Sequence, residues 1–132
     1  MTAPIEWASG SSFGLMAAYR NASNYVMCEY TPSGNGVSVR ALQYINGYRI
    51  PLSPAITIGK GSSTAGPMDT GISIRGVYVT CSLNGGSVSN EGVGAGKTAM
   101  TSPQNGGIGF SIYGTTAATA KMIIDSVSVI AQ

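Results

Sequence analysis

Apolar and polar residues alternate along most of this chain, and no stretch keeps the three-to-four-residue spacing that marks an amphipathic helix. Short alternating runs, rich in β-branched and aromatic residues, are separated by turns that contain glycine. Closely spaced short strands of this kind are typical of an all-β sandwich or barrel. We therefore predict one antiparallel β domain over residues 1–132, with 1–12 as an N-terminal arm and no helix longer than about one turn.

Turn residues predict three β-hairpins. Residues 25–31 should pair with 37–45 across a turn containing Pro-Ser-Gly-Asn-Gly. The next two hairpins should turn at Asn46-Gly47 and at Asn84-Gly85, because Asn-Gly accepts the positive φ of both central positions in a type I′ turn. These turns fix the pairing register and predict an antiparallel meander.

Alternation also assigns the side chains that face the core and the segments that form loops. Segments 59–71 and 89–107 show no alternation and are predicted to be long surface loops. Cys28 and Cys81 both fall at inward positions, where the pattern favours two small buried hydrophobic side chains, with an inter-strand disulfide as the alternative. The predicted inward set is Val26, Cys28, Tyr30, Val77, Val79, Cys81, Leu83, Ile108, Phe110, Ile112, Met122, Ile124, Val127 and Val129.

Charge is scarce and scattered. Charged residues make up 9% of the chain, and the net charge is +2 without any cluster of lysine or arginine, which argues against nucleic acid as a partner. No apolar run is long enough for a membrane span, and we expect no signal peptide because the first residues lack a basic and an apolar region. A surface of Ser, Thr, Asn and Gly fits an extracellular, cell-surface or virion protein.

Three segments, taken in order, resemble one family of sandwiches. "FGLMAAYRNASNYVMCEY", "GISIRGVYVTCSLNGGSV" and "GGIGFSIYG…AKMIIDSVSV" resemble strands of the concanavalin A-like, or laminin G-like, jelly-roll superfamily. The resemblance covers residues 13–132 and implies a jelly-roll sandwich. It also implies a structural role for Asp125 in the closing strand, since the family carries an aspartate at that position. Family members usually have more strands before the first of these segments, so the sandwich is either minimal or completed by another chain.

Catalytic chemistry finds little support. There is no histidine, so a Ser-His-Asp triad is excluded, and the five carboxylates are too dispersed for paired acid–base work on sugars. The glycine-rich segment before Lys97 is not a phosphate-binding loop, because Glu91 occupies the position of its first glycine. We therefore expect a non-enzyme without a cofactor or bound metal; Asp69, in "GPMDTG", gives only a weak indication of calcium.

Aromatic residues around one turn suggest sugar binding. Tyr44 and Tyr48 flank Asn46-Gly47, with Gln43 and Arg49 beside them, and such rings and polar groups suit a saccharide. The alternative is that these tyrosines pack in the sandwich. Together with the family resemblance, they predict a non-catalytic glycan-binding module; a structural subunit of a virion or surface assembly is the alternative. Further candidate rings are those of Trp7, Tyr19 and Tyr113.

The N-terminal arm could cover a sheet edge of its own chain or add to the sheet of a neighbouring subunit. We expect the second arrangement, a homo-oligomer in which Ile5 and Trp7 are buried against the partner. Deleting residues 1–10 would then dissociate the assembly and leave the sandwich folded.

Overall fold

The described part of the chain forms eleven strands and no helix. A computed structural model describes residues 2–7, 11–33, 36–59, 68–92, 94, 96–101, 105–114, 122–124 and 128–130. The strands are β1 (Thr2–Trp7), β2 (Ser11–Asn21), β3 (Asn24–Ser33), β4 (Gly36–Ile45), β5 (Tyr48–Pro51), β6 (Ile56–Gly59), β7 (Met68–Arg75), β8 (Tyr78–Leu83), β9 (Gly86–Ser89), β10 (Gly107–Gly114) and β11 (Met122–Ile124).

The strands form two sheets in which every described pair is antiparallel. The five-stranded sheet has the order β11-β1-β7-β8-β9. The six-stranded sheet has the order β10-β2-β3-β4-β5, and β6 pairs with the other end of β4. The predicted all-β, antiparallel class is therefore confirmed.

The predicted hairpins are confirmed. β3 pairs with β4 from Tyr25↔Tyr44 to Ser33↔Gly36, so these strands extend further into the turn than the sequence indicated. The turns at Asn46-Gly47 and Asn84-Gly85 have positive φ at both residues, of 50° and 82° in the first and 47° and 84° in the second. Asparagine and glycine adopt this region at low cost, which explains why those dipeptides mark the turns.

The core lies between the two sheets and is built from the inward positions of both. The predicted inward residues Val26, Tyr30, Val79 and Leu83 are fully buried there. Two other inward assignments are wrong: Ile108 and Val129 are about half exposed, at 45% and 58%. Ile108 lies at the start of β10, where a register irregularity interrupts the alternation, and Val129 lies outside any described strand. The side chains of Ile112, Met122, Ile124 and Val127, and residue Asp125, lie outside the described part.

A disulfide joins the two sheets through this core. Cys28 on β3 and Cys81 on β8 are both fully buried, and their sulfur atoms are bonded with the Cα atoms 5.5 Å apart. The sequence pattern favoured two free cysteines, and this interpretation is wrong. Both residues point inward from facing sheets, at a Cα separation that a disulfide readily spans.

Tyr30 makes a second link between the sheets. Its ring stacks on Phe13 with centroids 4.7 Å apart, and its hydroxyl can donate to the carbonyl oxygen of Gly71 or of Ser82, at 3.0 and 2.9 Å. Those carbonyls belong to register partners on β7 and β8. Burial raises the pKa of the Tyr30 hydroxyl well above its usual value, and the hydrogen bond to Gly71 offsets this only in part.

Both predicted long loops are partly structured. β7 begins at Met68, so the last residues of the first segment belong to a strand, and residues 60–67 lie outside the described part. In the second segment, Met100 is buried in the core, and its amide donates to the carbonyl of Val77 at 3.1 Å. Isolated apolar residues among glycines show no alternation, which is why this contact could not be predicted from the sequence.

The N-terminal strand belongs to the sheet of its own chain. β1 pairs with β7 through residues Thr2 to Ile5 and with β11 through residues Ile5 to Trp7, so it lies between them. Of the two arrangements considered for the arm, the structure therefore shows the first. The roles of Ile5 and Trp7 in a homo-oligomer stay predictions, because their side chains lie outside the described part.

Candidate functional site

The candidate site lies on the outer face, which we define as the face of the six-stranded sheet turned away from the five-stranded sheet. Successive residues of a strand point to opposite faces, so the buried residues of β3 and β4 place their neighbours on the outer face. The strand registers then arrange these neighbours in rows that cross the sheet.

One row is aromatic, and we call it the aromatic row: Tyr19, Tyr25 and Tyr44. The rings of Tyr25 and Tyr44, which are register partners, stack with centroids 4.6 Å apart and an interplanar angle of 19°. The Tyr19 ring lies 5.9 Å from that of Tyr25 and is tilted by 31°. Exposure rises toward the β2 end of the row, from 9% for Tyr25 to 36% for Tyr19. Tyr44 has Arg49 as its partner on β5, so a guanidinium closes the other end of the row.

A β-bulge in β2 brings Tyr19 into the row. The register between β2 and β3 shifts between Ala17 and Asn21. Within that interval Ala18 has a φ of 51° and is buried in the core beside Ala17. Two successive inward residues reverse the alternation, so Tyr19 points to the outer face. Regular alternation from Ala17 would have pointed it into the core.

An ion pair crosses the outer face next to this row. The Arg49 Nη2 atom donates to Glu29 Oε1 at 3.0 Å, joining β5 to β3 across β4. From the registers, the line between these two residues passes over Leu42, which is fully buried although it faces outward. The ion pair therefore covers an apolar side chain that the core does not use.

Arg40 is the second arginine of this face. It is the register partner of Glu29, but the Glu29 carboxylate bonds Arg49 instead. Arg40 forms no salt bridge with any described residue, and its Nε atom is buried without a hydrogen-bond partner. Buried donors are nearly always paired in folded proteins, so this guanidinium stands out.

Met27 occupies the centre of the outer face and is fully buried. Its side chain lies over Gly14, where an added Cβ would overlap the Met27 thioether. The Ser111 hydroxyl on β10 donates to Met27 Sδ at 3.4 Å, across the intervening strand β2. Glycine at position 14 therefore makes room for the methionine.

The residues predicted around the first Asn-Gly turn separate onto two faces. Tyr44 and Arg49 meet on the outer face as register partners. Tyr48 is the partner of Ile45, so it points to the opposite side, where it is 76% exposed at the rim. Gln43 also points inward and is fully buried. Its amide bonds both the carbonyl and the amide of Thr101, at 3.3 and 3.0 Å, so it fixes a loop rather than a ligand in this structure.

The described acidic side chains do not gather into a catalytic or metal-binding group. Among the residues the structure describes, no three His, Cys, Asp or Glu side chains could hold one ion. Asp69 is exposed, and its backbone is bonded to Asn84 through two hydrogen bonds of 2.8 and 2.9 Å. The calcium hypothesis for Asp69 stays a prediction.

A concavity lies beside β7 and β8. It has a volume of about 380 Å³ and brings hydroxyls of β7 and β8 together with apolar side chains. Three of the latter are largely exposed hydrophobic residues, namely Ile108, Val129 and Ile130. None of the described residues that line it is charged.

Comparison with known proteins adds no relative: no protein-family model, curated protein or solved structure matches this chain. Nor do the described residues include a helix long and apolar enough to cross a membrane. The geometry of the outer face is therefore the main observation that bears on function.

Proposed function

We propose that this protein is a non-catalytic glycan-binding module, and that the saccharide binds on the outer face across the aromatic row. The observation that carries the proposal is the continuous row of Tyr19, Tyr25 and Tyr44, which ends in Arg49. Aromatic surface next to directional donors is the combination that sugar rings require, since they have apolar C–H faces and a rim of hydroxyls.

The bulge at Ala18 supports a functional purpose for the row. A bulge re-aims side chains and recurs beside binding sites. Here it places a large, partly exposed tyrosine on the outer face at the expense of a non-glycine residue with positive φ.

An extracellular, cell-surface or virion location is part of the same proposal. The disulfide between Cys28 and Cys81 supports it, because disulfides form and persist in oxidising compartments. The low content of charged residues, 9%, is consistent with a surface of hydroxyls and amides. The concanavalin A-like resemblance remains a further argument for the jelly-roll type and for sugars as ligands.

The test is a glycan array followed by titration of the best ligand against matched variants. Tyr19→Ala and Tyr44→Ala remove rings from the row, whereas Tyr48→Ala removes a more exposed ring from the opposite side of the sheet. We expect the first two to weaken binding by about tenfold or more and the third to leave it unchanged. Equal losses in all three variants, or an array without signal, would contradict the proposal.

A second candidate function is a structural subunit of a virion or surface assembly. It is favoured by the exposed apolar residues around the concavity beside β7 and β8, namely Ile108, Val129 and Ile130, since such patches often mark protein interfaces. Native mass spectrometry separates the candidates. An assembly that Ile130→Ser disrupts would favour the structural role, and a monomer that binds glycans would favour the first.

A further inference from the structure

Building on the proposed glycan-binding function, we infer that the saccharide is acidic and that its carboxylate or sulfate group pairs with Arg40. The inference starts from charge. The described charged side chains of the outer face are two arginines, Arg40 and Arg49, and one carboxylate, Glu29. Glu29 and Arg49 form a salt bridge with each other, so the Arg40 guanidinium has no carboxylate partner among these three side chains.

The position of Arg40 makes it accessible to a ligand next to the aromatic row. β5 has ended at Pro51, the partner of Leu42, and β6 begins at Ile56, the partner of Val39. Arg40 therefore lies where neither strand continues the sheet beside β4. Arg40 is half-buried, and its Nε atom is buried without a hydrogen-bond partner.

Burial of the Nε atom holds the guanidinium in place before a ligand arrives. A planar fork of donors with a fixed orientation suits the two oxygens of a carboxylate or sulfate, which accept paired hydrogen bonds. A neutral sugar offers no group that would compensate the charge. The charge complementarity of this face thus selects an oxyanion, attached to a ring that the aromatic row can contact.

Among the described residues, Arg40 has no salt-bridge partner that would account for it. Its carboxylate neighbour bonds a different arginine, and the Nε–H group is left without an acceptor. An arginine that stabilised the fold would be expected to have its donors paired. Replacing Arg40 with glutamine should therefore leave the unfolding midpoint unchanged or raise it, whereas a purely structural role predicts a lower midpoint.

The experiment compares three soluble polysaccharides by titration: a polyuronate, dextran sulfate and neutral dextran. We expect one or both acidic polymers to bind more tightly than neutral dextran. Comparing the polyuronate with dextran sulfate then shows whether the recognised group is a carboxylate or a sulfate. Arg40→Gln should reduce acidic binding by about tenfold or more, with Arg40→Lys restoring it only in part because lysine lacks the fork. Arg75→Gln, the same charge change at an exposed position on β7, should leave binding unchanged.

The possible outcomes separate this inference from the proposed function. Preference for neutral glycans, lost in Tyr19→Ala but unaffected by Arg40→Gln, would overturn the acidic ligand and keep the glycan module. Equal losses for Arg40→Gln and Arg75→Gln would show ion exchange without a site and also overturn it. A lower unfolding midpoint of Arg40→Gln that accounts for the binding loss would do the same. If no saccharide bound at all, the proposed function and this inference would both fail.

Discussion

The buried disulfide should contribute strongly to the stability of this fold. Cys28 and Cys81 are separated by 53 residues in the sequence and are joined at the centre of the core. Cross-linking a loop of that length restricts the unfolded chain by an entropy equivalent to about 4 kcal/mol at room temperature. Since domains are commonly stable by only about 5–15 kcal/mol, its loss should leave a marginal protein.

The perturbation is the double variant Cys28→Ala/Cys81→Ala, measured by urea unfolding next to the oxidised wild type. The unfolding entropy is about 2.1 cal/mol/K per residue, and the chain has 132 residues. A loss of about 4 kcal/mol should therefore lower the melting temperature by about 14 °C. Reductant should lower the midpoint of the wild type and leave that of the double variant unchanged. Because both cysteines are fully buried, reduction of the native wild type should require unfolding.

Thiol counting in denaturant is the control for this prediction, and it should find no free thiol in the wild type without reductant. Two free thiols would contradict the disulfide itself. A stability loss below about 1 kcal/mol in the double variant, with the disulfide present in the wild type, would refute the loop-entropy argument.

Three further predictions concern the core, the outer face and the N-terminal strand. Above about pH 10, the free energy of unfolding of the wild type should fall by about 1.4 kcal/mol per pH unit, because the unfolded chain releases the Tyr30 hydroxyl proton while the folded chain keeps it. Tyr30→Phe should flatten this dependence in urea unfolding. Parallel pH profiles of the two proteins would contradict this. Gly14→Ala should destabilise the protein by about 1–3 kcal/mol in the same assay, because Met27 must move. Gly59→Ala is the control and should not destabilise it, because an added Cβ meets open space there. Equal effects of the two substitutions would contradict the packing of Met27 over Gly14. Deleting residues 1–10 should lower the melting temperature sharply, because β1 lies inside its sheet. Dissociation of an assembly without a loss of stability would not be enough. A circular dichroism spectrum that shows the truncated chain to be fully folded would refute this prediction.

Local chemistry made much of the fold predictable. Asn46-Gly47 and Asn84-Gly85 identify their turns because few other dipeptides adopt two positive φ values at low energetic cost. Alternation then identified the buried side of β3 and β8, since a charged Glu29 fixes the phase of its strand. Both signals act over a few residues, which is why they can be seen without a structure.

Features that depend on contacts between distant strands could not be predicted in the same way. The choice between free and bridged cysteines required the distance between the two sheets, which no local pattern encodes. The placement of Tyr19 required the bulge at Ala18, and alanine gives no turn signal. Gln43 looked available for a ligand because its partner Thr101 lies in a segment without alternation.

Part of the site could nevertheless have been recognised from alternation alone. The phase that turns Glu29 outward also turns Tyr25 outward, and pairing across the predicted hairpin then places Tyr44 beside it and Arg40 beside Glu29. Grouping Tyr44 with Tyr48 followed closeness in sequence, but residues on either side of a two-residue turn need not share a face. Register partners do, and register was the more informative criterion.

The outer face has two features that suit a binding surface, namely a partly exposed aromatic side chain and an arginine without a salt bridge to a described residue. Its apolar residues Met27 and Leu42 are fully buried, and the side chains seen over them belong to the same sheet: the Glu29–Arg49 ion pair and the packing of the methionine over glycine. Two groups remain, a partly exposed tyrosine at the bulge and an arginine without a counterion among the described residues, and neither is explained by the packing of this sheet. Since unpaired charge and exposed aromatic surface are maintained at a cost to stability, their presence together on one face argues for a ligand that uses both.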